Sequence, residues 1–192
     1  MSHTIHYYFS PISPFTYLAG DELESEAKGE IVYHPFDIGK VFAATGGVPV
    51  PQRSQQRRDY RMAELKRISA RRGLAINFQP KYFPVDSRPA SKLLLAVRDA
   101  GADVGSLAKA ILKAVWLDEL DISNRETLIG LLQSLNIDTQ LLSASEGLDE
   151  QLDRETEAAI EAGVFGSPFY IVNDEPFWGQ DRLSEMLELA NS

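Results

Sequence analysis

Thr4-Ile5-His6-Tyr7-Tyr8-Phe9 is β-branched and aromatic, a composition that predicts a strand. Ser10-Pro11-Ile12-Ser13-Pro14 breaks it, and Pro14 suits the first turn of a helix, where no backbone N–H is required. The pattern predicts a helix from about Phe15 to Ala27, stopped by Gly29. Ile31-Val32-Tyr33-His34-Pro35-Phe36 then predicts a second strand. The chain therefore opens as strand, helix, strand.

Thr45-Gly46-Gly47-Val48-Pro49-Val50-Pro51 is turn-rich and predicts irregular backbone. Arg53 to Arg72 is helical in pattern and strongly basic, and a proline-punctuated loop from Gln79 to Pro89 follows. Further helices are expected over Ser91 to Ala100, Gly105 to Asp118, Asn124 to Ser134 and Asp149 to Ala162. Strand character returns at Ser167-Pro168-Phe169-Tyr170-Ile171-Val172-Asn173. A turn at Asp174-Glu175 leads into Pro176-Phe177-Trp178, and Asp181 is placed to cap a last helix ending near Ala190. No internal repeat or low-complexity tract occurs.

The order is thus βαβ, a block of helices, then ββα. Neither end carries enough strand to make a stable sheet alone. One sheet built from both ends, with the helices looped out between them, satisfies both. This predicts an α/β, thioredoxin-like domain from residues 1–38 and 163–192, with an all-helical domain of residues 39–162 inserted.

Composition narrows the function. The 192 residues are 44% hydrophobic and 24% charged, enough for a full core. A net charge of -9 argues against general nucleic-acid binding, which rewards a basic surface. No apolar stretch is long enough to span a membrane, and no secretory signal pattern opens the chain, so a cytoplasmic protein is expected. The chain has no cysteine, which excludes disulfides, thiolate metal sites and a cysteine nucleophile. Thiol enzymes of the thioredoxin type place Cys-Pro-x-Cys where the first strand opens into a helix. Here Ser13 and Thr16 stand at the two cysteine positions. A helix start that favours a thiolate would then act on one supplied from outside, with glutathione the obvious donor.

Phe9-Ser10-Pro11-Ile12-Ser13-Pro14-Phe15-Thr16-Tyr17-Leu18 resembles the N-terminal signature of the 2-hydroxychromene-2-carboxylate isomerases, relatives of the kappa-class glutathione transferases. Gly163-Val164-Phe165-Gly166-Ser167-Pro168 and Phe177-Trp178-Gly179-Gln180-Asp181-Arg182-Leu183 resemble two C-terminal signatures of that family. Asp59-Tyr60-Arg61 through Leu65-Lys66-Arg67, and Ala114-Val115-Trp116 to Asp121-Ile122, resemble segments between them. Each motif alone is weak, but they run in the family's order over nearly the whole length.

The resemblance implies a glutathione-dependent isomerase that interconverts 2-hydroxychromene-2-carboxylate and trans-o-hydroxybenzylidenepyruvate in aromatic breakdown. A kappa-like transferase acting on another electrophile is the alternative. A non-catalytic thioredoxin-like binding module that has lost its cysteines is a third reading. Glutathione is implied as a cofactor that is added and returned, and a homodimer is implied as the assembly. Ser13 is implied as the catalytic residue, its hydroxyl donating to the glutathione sulfur. The rival reading makes Ser13 a plain helix cap, and Ser10, also before a proline, is the competing serine. Ser167 and Pro168 are implied at the cysteinyl backbone of glutathione through a cis peptide bond, which the sequence cannot distinguish from a trans one.

Trp178, Gly179, Gln180 and Asp181 are implied at the γ-glutamyl end. Against this, Trp178 could be core and Asp181 only a cap. Phe42, Gln52, Arg53 and Tyr82 are implied around the acceptor, with Arg53 paired to the substrate carboxylate. Phe42 stands where the family often has lysine, and Gln52 where it has asparagine, which bears on the substrate more than on glutathione. The basic helix (Arg53, Arg57, Arg58, Arg61, Lys66, Arg67, Arg71, Arg72) is read as a solvated face partly turned to an anionic substrate, since only Tyr60 accompanies it as an aromatic. His3, His6 and His34 have neither metal spacing nor an acidic partner motif, and no metal site is expected.

Overall fold

The computed structural model describes residues 2–192. Four strands, β1 (Ile5–Phe9), β2 (Ile31–Pro35), β3 (Phe169–Val172) and β4 (Glu175–Trp178), form one sheet in the order β2-β1-β3-β4. Tyr7 of β1 pairs in parallel with Tyr33 of β2 and antiparallel with Tyr170 of β3. β3 turns into β4 through Asn173 and Asp174, both at positive φ, which matches the twist of a tight hairpin. Both ends of the chain thus complete each other's sheet, as the strand count required.

Side chains alternate along a strand, so β1 feeds two cores. Ile5, Tyr7 and Phe9 join Tyr170 and Val172 on one face, where Tyr7 stacks on Tyr170 at 5.2 Å. That face is covered by α5 (Arg88–Asp99), α6 (Val104–Trp116), α7 (Arg125–Ser134) and α10 (Leu183–Ala190). Tyr8 and Phe169 point to the other face, packed with Val41 of α3 (Ile38–Thr45) and Ala159 of α9 (Asp149–Glu161). The inserted helices therefore share their apolar surface with the sheet.

The single helix expected over Phe15 to Ala27 is two pieces, α1 (Pro14–Tyr17) and α2 (Glu22–Glu26). Gly20 at φ +70° breaks it, in a conformation glycine adopts at little cost. Arg72, from α4 (Gln55–Arg72), occupies the break, donating to the Ala19 carbonyl at 2.8 Å and to Glu22 at 2.9 Å. The expectation gave no helix at α3, nor at α8 (Gln140–Ser145); both are short, and α3 is defined by the Asp37 cap on Gly39 and Lys40. α5 starts at Arg88 with Pro89 in its first turn, ahead of the expected Ser91. No helix among the described residues is long and apolar enough to cross a membrane.

His34 has an acidic partner that no local motif could mark, since it lies 121 positions away. Its Nδ1 meets Glu155 at 3.1 Å, while Arg98 donates to the other Glu155 oxygen at 2.7 Å. Burial pushes Glu155 up, but the His34 and Arg98 hydrogen bonds and charges outweigh it and hold the carboxyl at about 2. The folded state thus binds this proton more weakly than the unfolded chain, so stability is present above about pH 4.5 and is lost as pH falls through about 2. The full effect is roughly 3 kcal/mol. Glu155→Gln is expected to flatten the acid limb of the stability curve, measured by urea unfolding across that window. An unchanged acid limb would mean that Glu155 adds nothing there.

Candidate active site

The turn after β1 places two hydroxyls and a proline against the start of β3. The Ser13 N–H donates to the Ser10 carbonyl at 3.0 Å, which sets Ser13 as the cap of α1. Its Oγ accepts from the Thr16 N–H at 3.2 Å and donates to the Ser167 carbonyl at 3.1 Å. Ser13 is therefore a cap, and the same hydroxyl also borders a cavity. With α1 only four residues long, positive potential here comes from local N–H groups more than from a long dipole. The Phe15 N–H is one of these, with no acceptor among the described residues.

Ser167-Pro168 is a cis peptide. The Ser167 Oγ lies 2.7 Å from Thr16 Oγ1 and accepts from the Ser10 N–H at 2.8 Å. Thr16, at the second cysteine position, thus fixes the serine before the cis proline. The Ser167 N–H has no partner among the described residues, and its carbonyl accepts only from Ser13. The Ser167 N–H is left unpaired beside the cavity, as at a strand edge, while its carbonyl is held by the Ser13 hydroxyl.

The cavity has a volume of about 390 Å³. Ser13, Ser167 and Trp178 line it from the sheet side; Phe42, Val48, Arg53, Arg57, Arg61 and Phe83 line it from the helical side. Trp178 is 55% exposed, so it is no core residue. It meets Phe165 edge-on at 4.8 Å, and Phe165 meets Phe169 at 5.2 Å. The indole lies over Gly166, where a Cβ would be 2.3 Å from Trp178 Nε1. Gly166→Ala is expected to displace the indole and to shift tryptophan emission, with thermal stability nearly unchanged. An unaltered emission spectrum would mean that the contact is slack.

Five expected residues, Ser13, Ser167, Trp178, Phe42 and Arg53, thus line one cavity. Pro168 is buried behind it, its carbonyl accepting from Gly179 at 2.9 Å. Gly179 (φ +102°) and Gln180 follow Trp178 and are buried, Asp181 next to them is exposed, and none of the three lines the cavity. Asp181 does not cap the last helix: Arg182 holds that position without a side-chain cap bond, and a turn closed by Arg182 N–H on the Gly179 carbonyl sets Asp181 one residue too early. Gln52 is exposed in the 3-10 turn Val50–Gln52, and Tyr82 lies under the Lys81 ammonium at 4.9 Å. Neither lines the cavity, whereas Phe83, one residue on, does.

Sequence reasoning missed Phe83 and Phe165 as lining residues, and it placed Arg57 and Arg61 only within a basic helix partly turned to an anionic substrate. The fourfold spacing of Arg57 and Arg61 carried a signal, since it puts them on one face of α4, while Arg53 precedes that helix in extended backbone. The Arg53 Nε donates to the Val48 carbonyl at 2.7 Å and its guanidinium lies 5.8 Å from the Phe42 ring centre. Arg61 lies 5.9 Å from the Phe83 ring centre. Burial and the Arg53 charge pull Arg61 down to about 10. Burial, then Arg57, lowers Arg53 as well. The site is a largely apolar, aromatic-walled space lined also by Ser13 and by three arginines.

A family model described as the DsbA-like thioredoxin domain matches residues 4–190. The 2-hydroxychromene-2-carboxylate isomerase of Pseudomonas sp. (strain C18) is 31% identical, over 97% of this chain and 89% of the relative. Glutathione S-transferase kappa 1 of Caenorhabditis elegans is 23% identical, over 96% of this chain and 89% of the relative. Among solved structures, a 2-hydroxychromene-2-carboxylate isomerase superposes with a TM-score of 0.78 at 28% identity, covering 98% of this chain and 94% of that one.

Proposed function

Since this chain belongs to the DsbA-like thioredoxin domain family and is an enzyme of its isomerase or transferase kind, we propose that it is a glutathione-dependent isomerase acting on 2-hydroxychromene-2-carboxylate. The observation that carries the reading is the Ser167 backbone pair facing the Ser13 hydroxyl in a chain without cysteine. A tripeptide thiol fits this donor set: an extended backbone needs one N–H and one carbonyl, and a thiolate needs hydroxyl and N–H donors. When bound, glutathione supplies a thiolate for reversible addition to a conjugated double bond.

Each residue then has a defined task. The Ser13 hydroxyl, turned from the Ser167 carbonyl to the sulfur, and the Phe15 N–H favour the thiolate over the thiol, and that carbonyl is then left for the cysteinyl N–H. Ser167 and cis Pro168 hold the cysteinyl backbone, and Thr16 keeps Ser167 in place. Trp178, Gly179, Gln180 and Asp181 take the γ-glutamyl end, where the Asp181 carboxylate suits an α-ammonium. Arg53 holds the substrate carboxylate, with Phe42 and Phe83 flanking the aromatic ring. Gln52 and Tyr82 are proposed at the substrate's outer edge. The proposed setting is a cytoplasmic homodimer, in a compartment where glutathione is kept reduced.

Turnover of 2-hydroxychromene-2-carboxylate, followed by absorbance with and without reduced glutathione, tests this reading. Saturable dependence on glutathione without its consumption is expected. Turnover independent of glutathione would overturn it. Glutathione consumed one for one with product would favour the kappa-like transferase, whose support is the resemblance to the Caenorhabditis elegans enzyme.

A further inference from the structure

Arg72, the last residue of α4, ties together stretches of chain that meet only on folding. Its Nη1 donates to the Ala19 carbonyl at 2.8 Å and to Glu22 at 2.9 Å, and its Nη2 donates to the Gln180 carbonyl at 3.2 Å. The other Glu22 oxygen accepts from the Ser184 hydroxyl of α10 at 2.9 Å. Earlier on α4, Leu65 and Ile68 are buried with Leu18, the cap of α1. The turn from Trp178 to Asp181 has backbone bonds of its own, Gly179 N–H to the Pro168 carbonyl and Arg182 N–H to the Gly179 carbonyl. Those bonds set the shape of the turn and its link to the start of β3. Arg72 supplies a link to the end of α1, the helix that Ser13 opens.

We propose that Arg72 is a positioning residue for the glutathione site, holding the Trp178–Asp181 turn at a fixed distance from Ser13. The proposal rests on the reading above for what that turn holds. Ser13 and Asp181 come from opposite ends of the chain, and a tripeptide that spans them binds best where their spacing is set beforehand. A guanidinium suits this task, because its planar fork aims several donors in fixed directions with little further loss of freedom. Arg72 does not line the cavity and acts through the turn.

Arg98 is the matched control. It is 20% exposed against 21% for Arg72, it bonds Asp99, the Tyr33 carbonyl and Glu155, and none of these residues lines the cavity. Wild type, Arg72→Gln, Arg72→Lys and Arg98→Gln are compared by calorimetric titration with reduced glutathione, by urea unfolding, and by acrylamide quenching of tryptophan emission without ligand. Both glutamine variants should lose stability. Arg72→Gln alone should lose glutathione affinity, by about tenfold. Arg72→Lys, which keeps a charge beside Glu22 but not the fork, should fall between it and the wild type. Acrylamide should reach Trp178 more readily in Arg72→Gln and no more readily in Arg98→Gln, Trp116 being buried in each. Equal glutathione affinity in the two glutamine variants would overturn the proposal. Should Arg72→Gln fail to fold, wild-type affinity in Arg72→Lys would overturn it. A wild type that binds no glutathione would overturn the reading above. Quenching then decides the role of Arg72: a rise confined to Arg72→Gln sustains its hold on the turn, and equal quenching in both variants overturns that as well.

Discussion

Ser13→Ala is expected to lower glutathione-dependent turnover by about 10²–10³-fold, the usual cost of removing one donor aimed at a reacting anion. The mutated hydroxyl also caps α1 and bonds the Ser167 carbonyl, so a structural cost must be separated from a chemical one. Loss of a serine cap costs about 1 kcal/mol, which leaves the protein folded. The chemical cost falls on the thiolate. The pKa of bound glutathione, read from thiolate absorbance against pH, should rise toward that of the free thiol. Turnover at high pH should then recover in part. Ser13→Thr, which keeps the hydroxyl, should retain far more activity than Ser13→Ala. Unchanged turnover in Ser13→Ala would remove Ser13 from the chemistry and bring Ser10 forward.

Trp116→Ala carries the largest expected effect on stability. Trp116 ends α6 fully buried, and its ring lies 4.8 Å from Phe83, a wall of the cavity. Its carbonyl also accepts from the Asn77 N–H at 2.7 Å, tying the loop after α4 to the core. Truncating a buried tryptophan costs about 3–5 kcal/mol, since neighbours collapse only partly into the space. The indole Nε1 is buried with no acceptor among the described residues, so Trp116→Phe removes an unmatched donor while keeping a ring. Trp116→Phe should therefore cost less than half as much in urea unfolding. Equal losses would mean that the indole nitrogen matters more than packing. A loss below about 1 kcal/mol in Trp116→Ala would mean the site closes up after truncation.

Much of this architecture was legible because it is carried by local pattern. The β-branched and aromatic run of β1, the helical pattern of α4 and the return of strand character at Phe169 are properties of neighbouring residues. The parts that were not legible depend on distant contacts. The break at Gly20 is occupied by Arg72 from another helix, and the His34–Glu155 pair joins a strand to a helix far along the chain. At the site, Ser13, Ser167 and Trp178 came from motifs, while Phe83 had no motif to mark it and Phe165 lay within a motif that gave it no role. Arg57 and Arg61 were visible as charges, yet only the packing of α4 against the cavity separates them from Arg58 and Arg67 on the same helix. Asp181 read as a cap because aspartate before an apolar run is a common cap, and the Gly179 turn offsets it by one residue.

The central claim is that this cysteine-free site takes its thiol from glutathione. Titration of the purified protein with reduced glutathione, followed by tryptophan fluorescence with calorimetry in parallel, addresses it directly, because Trp178 stands exposed at the cavity while Trp116 is buried. Saturable quenching, matched by heat and weakened in Ser13→Ala and Asp181→Ala, is the predicted result. A titration flat by both fluorescence and calorimetry would contradict the account and leave a thioredoxin-like binding module in its place.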